Sequence, residues 1–287
     1  MKKTILSILA AAMMMTAEAQ IETPQPSPAG SVYSKVGLTD VTIDYYRPKV
    51  KGRLIFGDGA DYLQPFGVLW RTGANSGSVL KLDTDAKIGG QAVKAGEYLI
   101  FTVPGKDSWD FMLYSDLSLG GNTAGYNKEK EVMRTSVKPV KLSDKVETLT
   151  FQITDISEDN SNANIMMSWE NTGIKIPVQV DYDAQVMAAI KKETQVNPGN
   201  YVAAANYYLA TDRDLEQALE WMDMYLAVNE NGKQFWHQHT KARILAKMGK
   251  KKEAKEVAMK SMEMAKNNPN GDFGYVKRNQ DLIDSMK

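Results

Sequence analysis

The hydrophobic pattern of this chain changes its period once, near residue 182. From Val41 to about residue 180, apolar and polar residues alternate in short segments that Gly, Asp and Asn interrupt. Such alternation is typical of half-buried β-strands, while the apolar run at 98–103 predicts an inner strand buried on both faces. Many short strands without intervening helices predict an antiparallel β-sandwich at 27–181.

One strand pair in this half is predicted to be a hairpin. Ile165, Met167 and Trp169 alternate with other residues up to Asn171-Thr172-Gly173. Apolar residues then return at positions 174, 176, 178 and 180. We therefore predict a turn at 171–173 between two antiparallel strands.

From about residue 183 the apolar residues recur at helical spacing. Leu215, Ala218, Leu219, Met222 and Leu226 form one stripe, and Asn- and Gly-rich breaks at 197–200, 229–232 and 268–271 separate the helical segments. Breaks 32 and 39 residues apart are typical of stacked helical hairpins. The segments 215–220 and 252–257 resemble the start of the second helix of the tetratricopeptide repeat, with Gly249 in the turn between helices. We predict a helical, tetratricopeptide-like domain at 183–287.

The N-terminus has the pattern of an export signal. Lys2 and Lys3 precede an apolar run at 5–15, and Ala17-Glu18-Ala19 is a small-x-small cleavage pattern. We predict a signal peptide at 1–19 and a proline-rich lead at 20–26, and hence a periplasmic or secreted protein. An N-terminal membrane anchor is the alternative, although a longer apolar run would suit it better.

Composition narrows the chemistry further. The chain contains no cysteine, which excludes a lipoprotein anchor, disulfides, thiolate metal sites and a cysteine nucleophile. Removal of Lys2, Lys3 and Glu18 with the signal leaves 33 basic and 34 acidic residues. This balance favours neither nucleic acid nor an anionic membrane as a partner, and no later segment reads as a membrane span.

Two segments place arginines beside aromatic, proline and glycine residues. They are Tyr45-Tyr46-Arg47-Pro48-Lys49-Val50-Lys51-Gly52-Arg53 and Trp70-Arg71-Thr72-Gly73-Ala74-Asn75. An arginine is costly to bury without a partner, so each one needs a carboxylate, carbonyl groups or a ligand. One hypothesis is that a small polar or anionic ligand binds at Arg47, Arg53, Trp70, Arg71 and Asn75, with Trp70 as a stacking platform. The alternative is internal pairing, for instance with Asp44 or Glu97.

These segments belong to a longer series of ordered blocks. The others are Gly37-Leu38-Thr39, Phe66-Gly67, Gly89-Gly90, Ala95-Gly96-Glu97-Tyr98, Phe101 and Pro104-Gly105. Over residues 27–180 the chain resembles an exported bacterial family known as domain-of-unknown-function family 2911. The family has no agreed activity, so the resemblance implies an exported β-domain and assigns no role to any residue.

Few catalytic groups are available. The only histidines, His237 and His239, lie two apart in the helical half, where we predict one packed and one exposed ring and no metal site or cofactor. The β half therefore cannot hold a Ser-His-Asp or Cys-His site. A hydrolase that uses paired carboxylates stays open, with Asp58, Asp61, Glu97 and Asp110 as the available acids.

The sequence thus favours a non-catalytic binding or protein-interaction module. In this interpretation the helical tail binds a protein or peptide, and the arginine segments hold a small polar or anionic ligand. A carbohydrate hydrolase and a purely structural envelope protein are the alternatives. The sequence does not give the ligand, the partner or the oligomeric state.

Overall fold

The computed structural model describes residues 23–194, 197–228 and 232–287. The predicted signal peptide and the first residues of the lead lie outside them. The chain divides into two compact units, and the boundary along the sequence lies between Tyr182 and Asp183. The strands of the first unit are β1 (Ala29–Val36), β2 (Thr39–Tyr46), β3 (Phe56–Gly57), β4 (Gln64–Pro65), β5 (Ser78–Leu82), β6 (Ala86–Ile88), β7 (Gln91–Val93), β8 (Gly96–Val103), β9 (Trp109–Tyr114), β10 (Glu131–Val137), β11 (Val140–Thr154) and β12 (Asn162–Val180).

The first unit is the predicted antiparallel sandwich. Its larger sheet has the order β1-β2-β5-β8-β9-β10, and its smaller sheet has the order β11-β12-β6-β7. Neighbouring strands in both sheets are antiparallel, while β3 and β4 form a separate short parallel pair. The apolar run at 98–103 lies in β8, between β5 and β9, which confirms it as an inner strand.

The core lies where the two sheets face each other. Alternation along β2 places Val41, Ile43 and Tyr45 on the buried face, as their spacing predicts. The core also contains residues of both sheets, including Leu80, Ile100, Trp109, Phe111, Phe151, Ile165, Met167, Trp169, Ile176 and Val178.

The predicted hairpin at 165–180 is wrong. Residues 162–180 form one continuous strand, β12, which pairs with β11 and shifts its register twice near Val146. Glu170 adopts a positive φ of 56°. The buried positions change from odd to even numbers across this point, because the backbone at Glu170 departs from the extended form and so reverses which side chains face the core. The change in the apolar pattern therefore marks an irregularity within one long strand, and not a turn between two strands.

The second unit is helical, as its periodicity predicts. Its helices are α1 (Asp183–Glu193), α2 (Tyr201–Ala210), α3 (Leu215–Leu226), α4 (Phe235–Lys247), α5 (Lys251–Lys266) and α6 (Tyr275–Ser285). Successive helices pack in pairs, α2 on α3, α4 on α5 and α5 on α6. Asp214 caps α3 by accepting a hydrogen bond from Gln217 N, and Gly249 turns the chain between α4 and α5 with a φ of 77°. Ala218 and Met222 of the predicted stripe are buried. In the described part of the chain, no helix is long and apolar enough to cross a membrane.

Candidate functional site

Four of the five predicted site residues line one concavity in the first unit. The concavity has a volume of about 580 Å³, and we call it the arginine site. Its lining includes Arg53, Trp70, Arg71 and Asn75, but Arg47 is not part of it. The other lining residues are Ser27, Pro48, Leu63, Gln64, Leu69, Gly73, Ala74, Thr123 and Trp169.

The loop at 70–77 contributes five of the thirteen lining residues, and its backbone is unusual. Thr72, Gly73, Asn75 and Gly77 all have positive φ values, of 51°, 144°, 52° and 85°. They carry the chain away from β8 and back again between Trp70 and the start of β5, since Trp70 and β5 both pair with β8 in the antiparallel sense. At Gly73 a Cβ would lie 3.0 Å from Ser78 Oγ and 3.3 Å from Tyr46 O, so a side chain has little room there.

Thr72 is a strained residue that its surroundings hold in place. A β-branched residue with a left-handed backbone costs about 1–3 kcal/mol and is often found at functional sites. Thr72 is fully buried, and its hydroxyl lies 3.0 Å from Thr102 Oγ1. Its carbonyl oxygen accepts a hydrogen bond from the hydroxyl of Ser78. These contacts fix the residue that directly follows Arg71.

Arg71 has no carboxylate partner among the described residues. Its Nη1 donates to Asn75 O at 2.9 Å, which occupies one of the five N–H donors of a guanidinium. A Cβ on Gly121 would lie 2.7 Å from Arg71 Nη1, so the glycine leaves the space that this guanidinium fills. A second concavity of about 440 Å³ adjoins here, since it is also lined by Arg71, Asn75 and Thr123.

Arg53 is held by its own turn. Its Nε donates to Val50 O at 3.1 Å and its Nη2 donates to Lys49 O at 2.5 Å. Lys51 and Gly52 have positive φ values of 50° and 71°, and this bend brings both carbonyls to the guanidinium. The side chain is exposed and forms no ion pair within the described residues, so further N–H donors stay open to a ligand.

Arg47 has a different environment. Its Nε donates to Leu149 O and its Nη2 to Thr150 Oγ1, both at 3.3 Å, so it connects the end of β2 to β11. The two acids given as examples of partners for the arginines lie near a lysine instead: Lys81 Nζ is 3.1 Å from Asp44 and 3.6 Å from Glu97. Internal pairing therefore holds for Arg47, but through a carbonyl and a hydroxyl.

Trp70 lines the site from within the core. Only 3% of its surface is exposed, and its Nε1 donates to Gly73 O at 3.2 Å. Its ring stacks on Trp169 at a centroid distance of 5.7 Å and an interplanar angle of 21°. With so little exposed area, Trp70 supports the loop and offers almost no surface for stacking on a ligand.

Trp169 is a site residue that the sequence did not single out. It lines the arginine site yet has 0% exposed surface, so it belongs to the buried side of the lining. Its Nε1 has no hydrogen-bond acceptor in the described protein. A buried donor without a partner costs about 1–3 kcal/mol. The only sequence signal was a tryptophan at the point where the strand's periodicity changes.

The arginine site has an electropositive lining. None of the residues that line it is Asp or Glu, while two are arginines. Arg134 shows the contrast within the same unit, since it contacts Asp110 at 2.6 Å and Glu131 at 2.9 and 2.5 Å. This pairing holds the pKa of Glu131 below its ordinary value. Arg53 and Arg71 lack such partners, which leaves them suited to an external anion.

The other candidate groups lie elsewhere. Asp58 and Asp61 are exposed in a turn, and no cluster of three potential metal ligands occurs in the described residues. The prediction of one packed and one exposed histidine is wrong, because both rings are partly buried on α4. His237 packs on Tyr225 and His239 Nδ1 lies 2.8 Å from Asn279 Oδ1.

The fold and the site define a two-unit chain: an antiparallel β-sandwich with an arginine-lined concavity, followed by a helical unit. Residues 27–178 match the model of the family described as protein of unknown function DUF2911, and the chain belongs to that family. This confirms the resemblance seen in the ordered blocks. Neither the curated proteins nor the solved structures contain a match to this chain.

Proposed function

We propose that this chain is a non-catalytic binding protein whose β-sandwich holds a small anionic ligand at the arginine site. The observation that supports this proposal is that Arg53 and Arg71 line one concavity while neither forms an ion pair with a described carboxylate. Guanidinium groups bind carboxylate and phosphate oxygens in a bidentate way. An oxyanion is therefore the ligand class that best fits the lining.

The surroundings of the two arginines support the same ligand class. Asn75, Gln64 and Thr123 add neutral polar groups to the lining. Hydrogen bonds within the protein hold the loop at 70–77 in its strained form, so little ordering is needed on binding. A site that is organised in advance loses less affinity to ordering entropy.

The hydrolase alternative gains no support from the acids on which it depends. Asp110 accepts hydrogen bonds from Arg134 and Ser136, and Glu97 lies 3.6 Å from Lys81 Nζ. A glycosidase needs one protonated and one ionised carboxyl facing each other across a cleft. Within the described lining of the arginine site, no carboxyl is present to serve either role.

Calorimetric titration tests the proposal. The chain without residues 1–19 would be titrated with citrate, inorganic phosphate and glucuronate, and with neutral glucose as the uncharged comparison. We expect at least one oxyanion to bind, with an affinity that falls as salt rises because ions screen the charges. Equal binding of glucose and glucuronate, or no binding of any oxyanion, would contradict the proposal.

A matched variant locates the binding. Arg71→Ala removes one guanidinium from the site, and Arg243→Ala removes an exposed guanidinium from α4. We expect the first to weaken oxyanion binding and the second to leave it unchanged. Equal losses would mean that net charge, and not this site, governs binding.

We further propose that the protein is exported and that Gln20 becomes its first residue. The Lys2-Lys3 pair, the apolar run at 5–15 and Ala17-Glu18-Ala19 support this proposal. Mass spectrometry of the protein from a periplasmic or culture-medium fraction should give a chain that starts at Gln20. A chain that keeps residues 1–19 in the membrane fraction would support an anchor instead.

A second candidate function concerns the helical unit, which we propose binds an extended peptide with apolar side chains. The supporting observation is a concavity of about 670 Å³ lined by Trp236, Phe273 and Tyr275 among others. Phe273 is 63% exposed and has a positive φ of 47°, and Trp236 is 37% exposed.

A tryptophan-fluorescence titration with a peptide library tests this second proposal. Phe273→Ser should weaken peptide binding. Met259→Ser, which changes an exposed residue on α5, should leave peptide binding unchanged.

A further inference from the structure

The indole of Trp169 is held in a fixed orientation by two aromatic neighbours. Trp70 stacks on one face at 5.7 Å and 21°, and Phe56 meets the ring at 5.8 Å and 84°. The ring is fully buried and therefore has little freedom to turn its N–H towards a new acceptor. Any hydrogen-bond acceptor for Trp169 Nε1–H must therefore come to the position that the indole already occupies.

The two stacked indoles differ in their hydrogen bonds. Trp70 Nε1 donates to Gly73 O at 3.2 Å, whereas Trp169 Nε1 has no acceptor in the described protein. Buried polar groups almost always have a partner, so an exception of this kind needs an explanation. Both tryptophans belong to the lining of the arginine site, so the unpaired donor is part of a residue that borders the space proposed for the ligand.

Resting on the proposed function, we propose that Trp169 Nε1–H donates a hydrogen bond to an oxygen of the bound anion and so selects its class. The ligand then needs a charged oxyanion group for Arg53 and Arg71 and a second oxygen acceptor that reaches Trp169. Hydroxy acids, sugar acids and phosphate esters share this chemistry. Simple anions such as chloride lack the second acceptor.

A competing account is that the indole edge points at the face of Phe56 and makes a weak N–H···π contact. In that case the donor serves the core alone and a ligand does not change its environment. The two accounts therefore differ in what happens to the Trp169 indole proton when a ligand binds.

Proton–nitrogen NMR of the indole groups separates these accounts. The signal of Trp169 is identified by its absence in Trp169→Phe, and the protein is titrated with glucuronate, citrate, inorganic phosphate and sodium chloride. We expect the Trp169 indole proton to move downfield and to exchange more slowly as the oxyanion that binds best saturates the site. Chloride at equal ionic strength should leave it in place.

Two variants give a second measurement. Trp169→Phe keeps an aromatic ring but removes the donor, and we expect about tenfold weaker oxyanion binding from the lost hydrogen bond. Trp70→Phe breaks the bond to Gly73 O, and we expect it to lower the Tm more than Trp169→Phe does. If Trp169→Phe fails to fold, the Trp169 signal is assigned in the unchanged chain from its through-space contacts with the rings of Trp70 and Phe56, and the NMR titration still decides.

The outcomes distinguish the two proposals. Oxyanion binding that depends on Arg71 but leaves the Trp169 signal unmoved overturns the role of Trp169 and leaves the proposed function standing. No oxyanion binding at all overturns both. Binding that moves the Trp169 signal but is insensitive to Arg71→Ala supports the donor role and contradicts the arginine site as proposed.

Discussion

Trp70 and Thr102 exchange two backbone hydrogen bonds, from Trp70 N to Thr102 O at 2.8 Å and from Thr102 N to Trp70 O at 2.9 Å. Thr102 belongs to β8, the inner strand between β5 and β9. This bridge anchors the loop at 70–77 to a well-buried part of the sheet. Arg71 therefore extends from a fixed point, which is what a rigid binding site needs.

The contact between Thr72 and Thr102 should matter for stability. Thr72→Val keeps the shape but removes the hydroxyl, so Thr102 Oγ1 loses its buried neighbour at 3.0 Å. We expect a loss of about 1–3 kcal/mol in the free energy of unfolding, measured by urea denaturation. Thr42→Val, at a half-buried position in β2, should change it by less than about 0.5 kcal/mol. Equal effects would show that the Thr72 hydroxyl is unimportant.

The close approach at Gly73 gives a second prediction. Gly73→Ala adds strain at a φ of 144° and a contact of 3.3 Å with Tyr46 O, while Gly90→Ala adds strain at 82° with nothing within 4 Å. We expect Gly90→Ala to cost about 1–2 kcal/mol and Gly73→Ala to cost more. Thermal unfolding of both variants measures the difference. A smaller cost at Gly73 would contradict the described loop.

Arg47 should behave as a structural residue. Arg47→Met keeps the aliphatic stem but removes the hydrogen bonds to Leu149 O and Thr150 Oγ1. We expect a stability loss of about 1 kcal/mol, because the side chain is only partly buried. Oxyanion affinity should stay the same, since Arg47 does not line the site. If Arg47→Met lowered the oxyanion affinity without lowering the stability, Arg47 would be a binding residue and this prediction would be wrong.

The histidines should make the helical unit less stable in acid. Burial lowers the pKa of His239; the nearby charges of Arg243 and Arg278 lower it further, while the hydrogen bond with Asn279 raises it. Burial also lowers the pKa of His237. The unfolded chain then binds more protons below the ordinary value of 6.5, so stability falls as the pH drops from about 7 towards 5. Helical circular dichroism during urea unfolding at several pH values checks this. His239→Gln should make the stability of the helical unit depend less on pH. An unchanged pH dependence in this variant would contradict the role of His239.

The periodicity of the sequence was enough to predict the two kinds of structure. Val41, Ile43 and Tyr45 alternate because one face of β2 is buried, and the stripe on α3 follows from helical spacing. Asn171-Thr172-Gly173 led to the wrong prediction of a turn, because turn-forming residues also occur beside a strand irregularity. Only the pairing with β11 distinguishes a turn from an irregularity within one strand. The shift from odd to even buried positions was the signal that could have shown it.

The sequence predicted that the two arginine segments come together, but it could not predict their contacts. Four of the five residues line one concavity, and binding of a ligand there stays a prediction. The sequence could not show that Arg47 binds a carbonyl of β11, because that contact joins residues about a hundred positions apart. Nor could it show that Trp169 lacks an acceptor, which depends on how the core rings pack.

Isothermal titration of the best-binding oxyanion into the wild-type chain, Arg71→Ala and Arg53→Ala tests the central claim most directly. We expect each variant to bind about 10- to 100-fold more weakly, because each loses charge-assisted hydrogen bonds. Their Tm values without ligand should fall only slightly, because each variant loses hydrogen bonds to nearby backbone carbonyls at a partly exposed surface and no ion pair with a described carboxylate. Unchanged affinity in both variants, or a large fall in Tm with no specific loss of binding, would contradict a ligand site built on these two arginines.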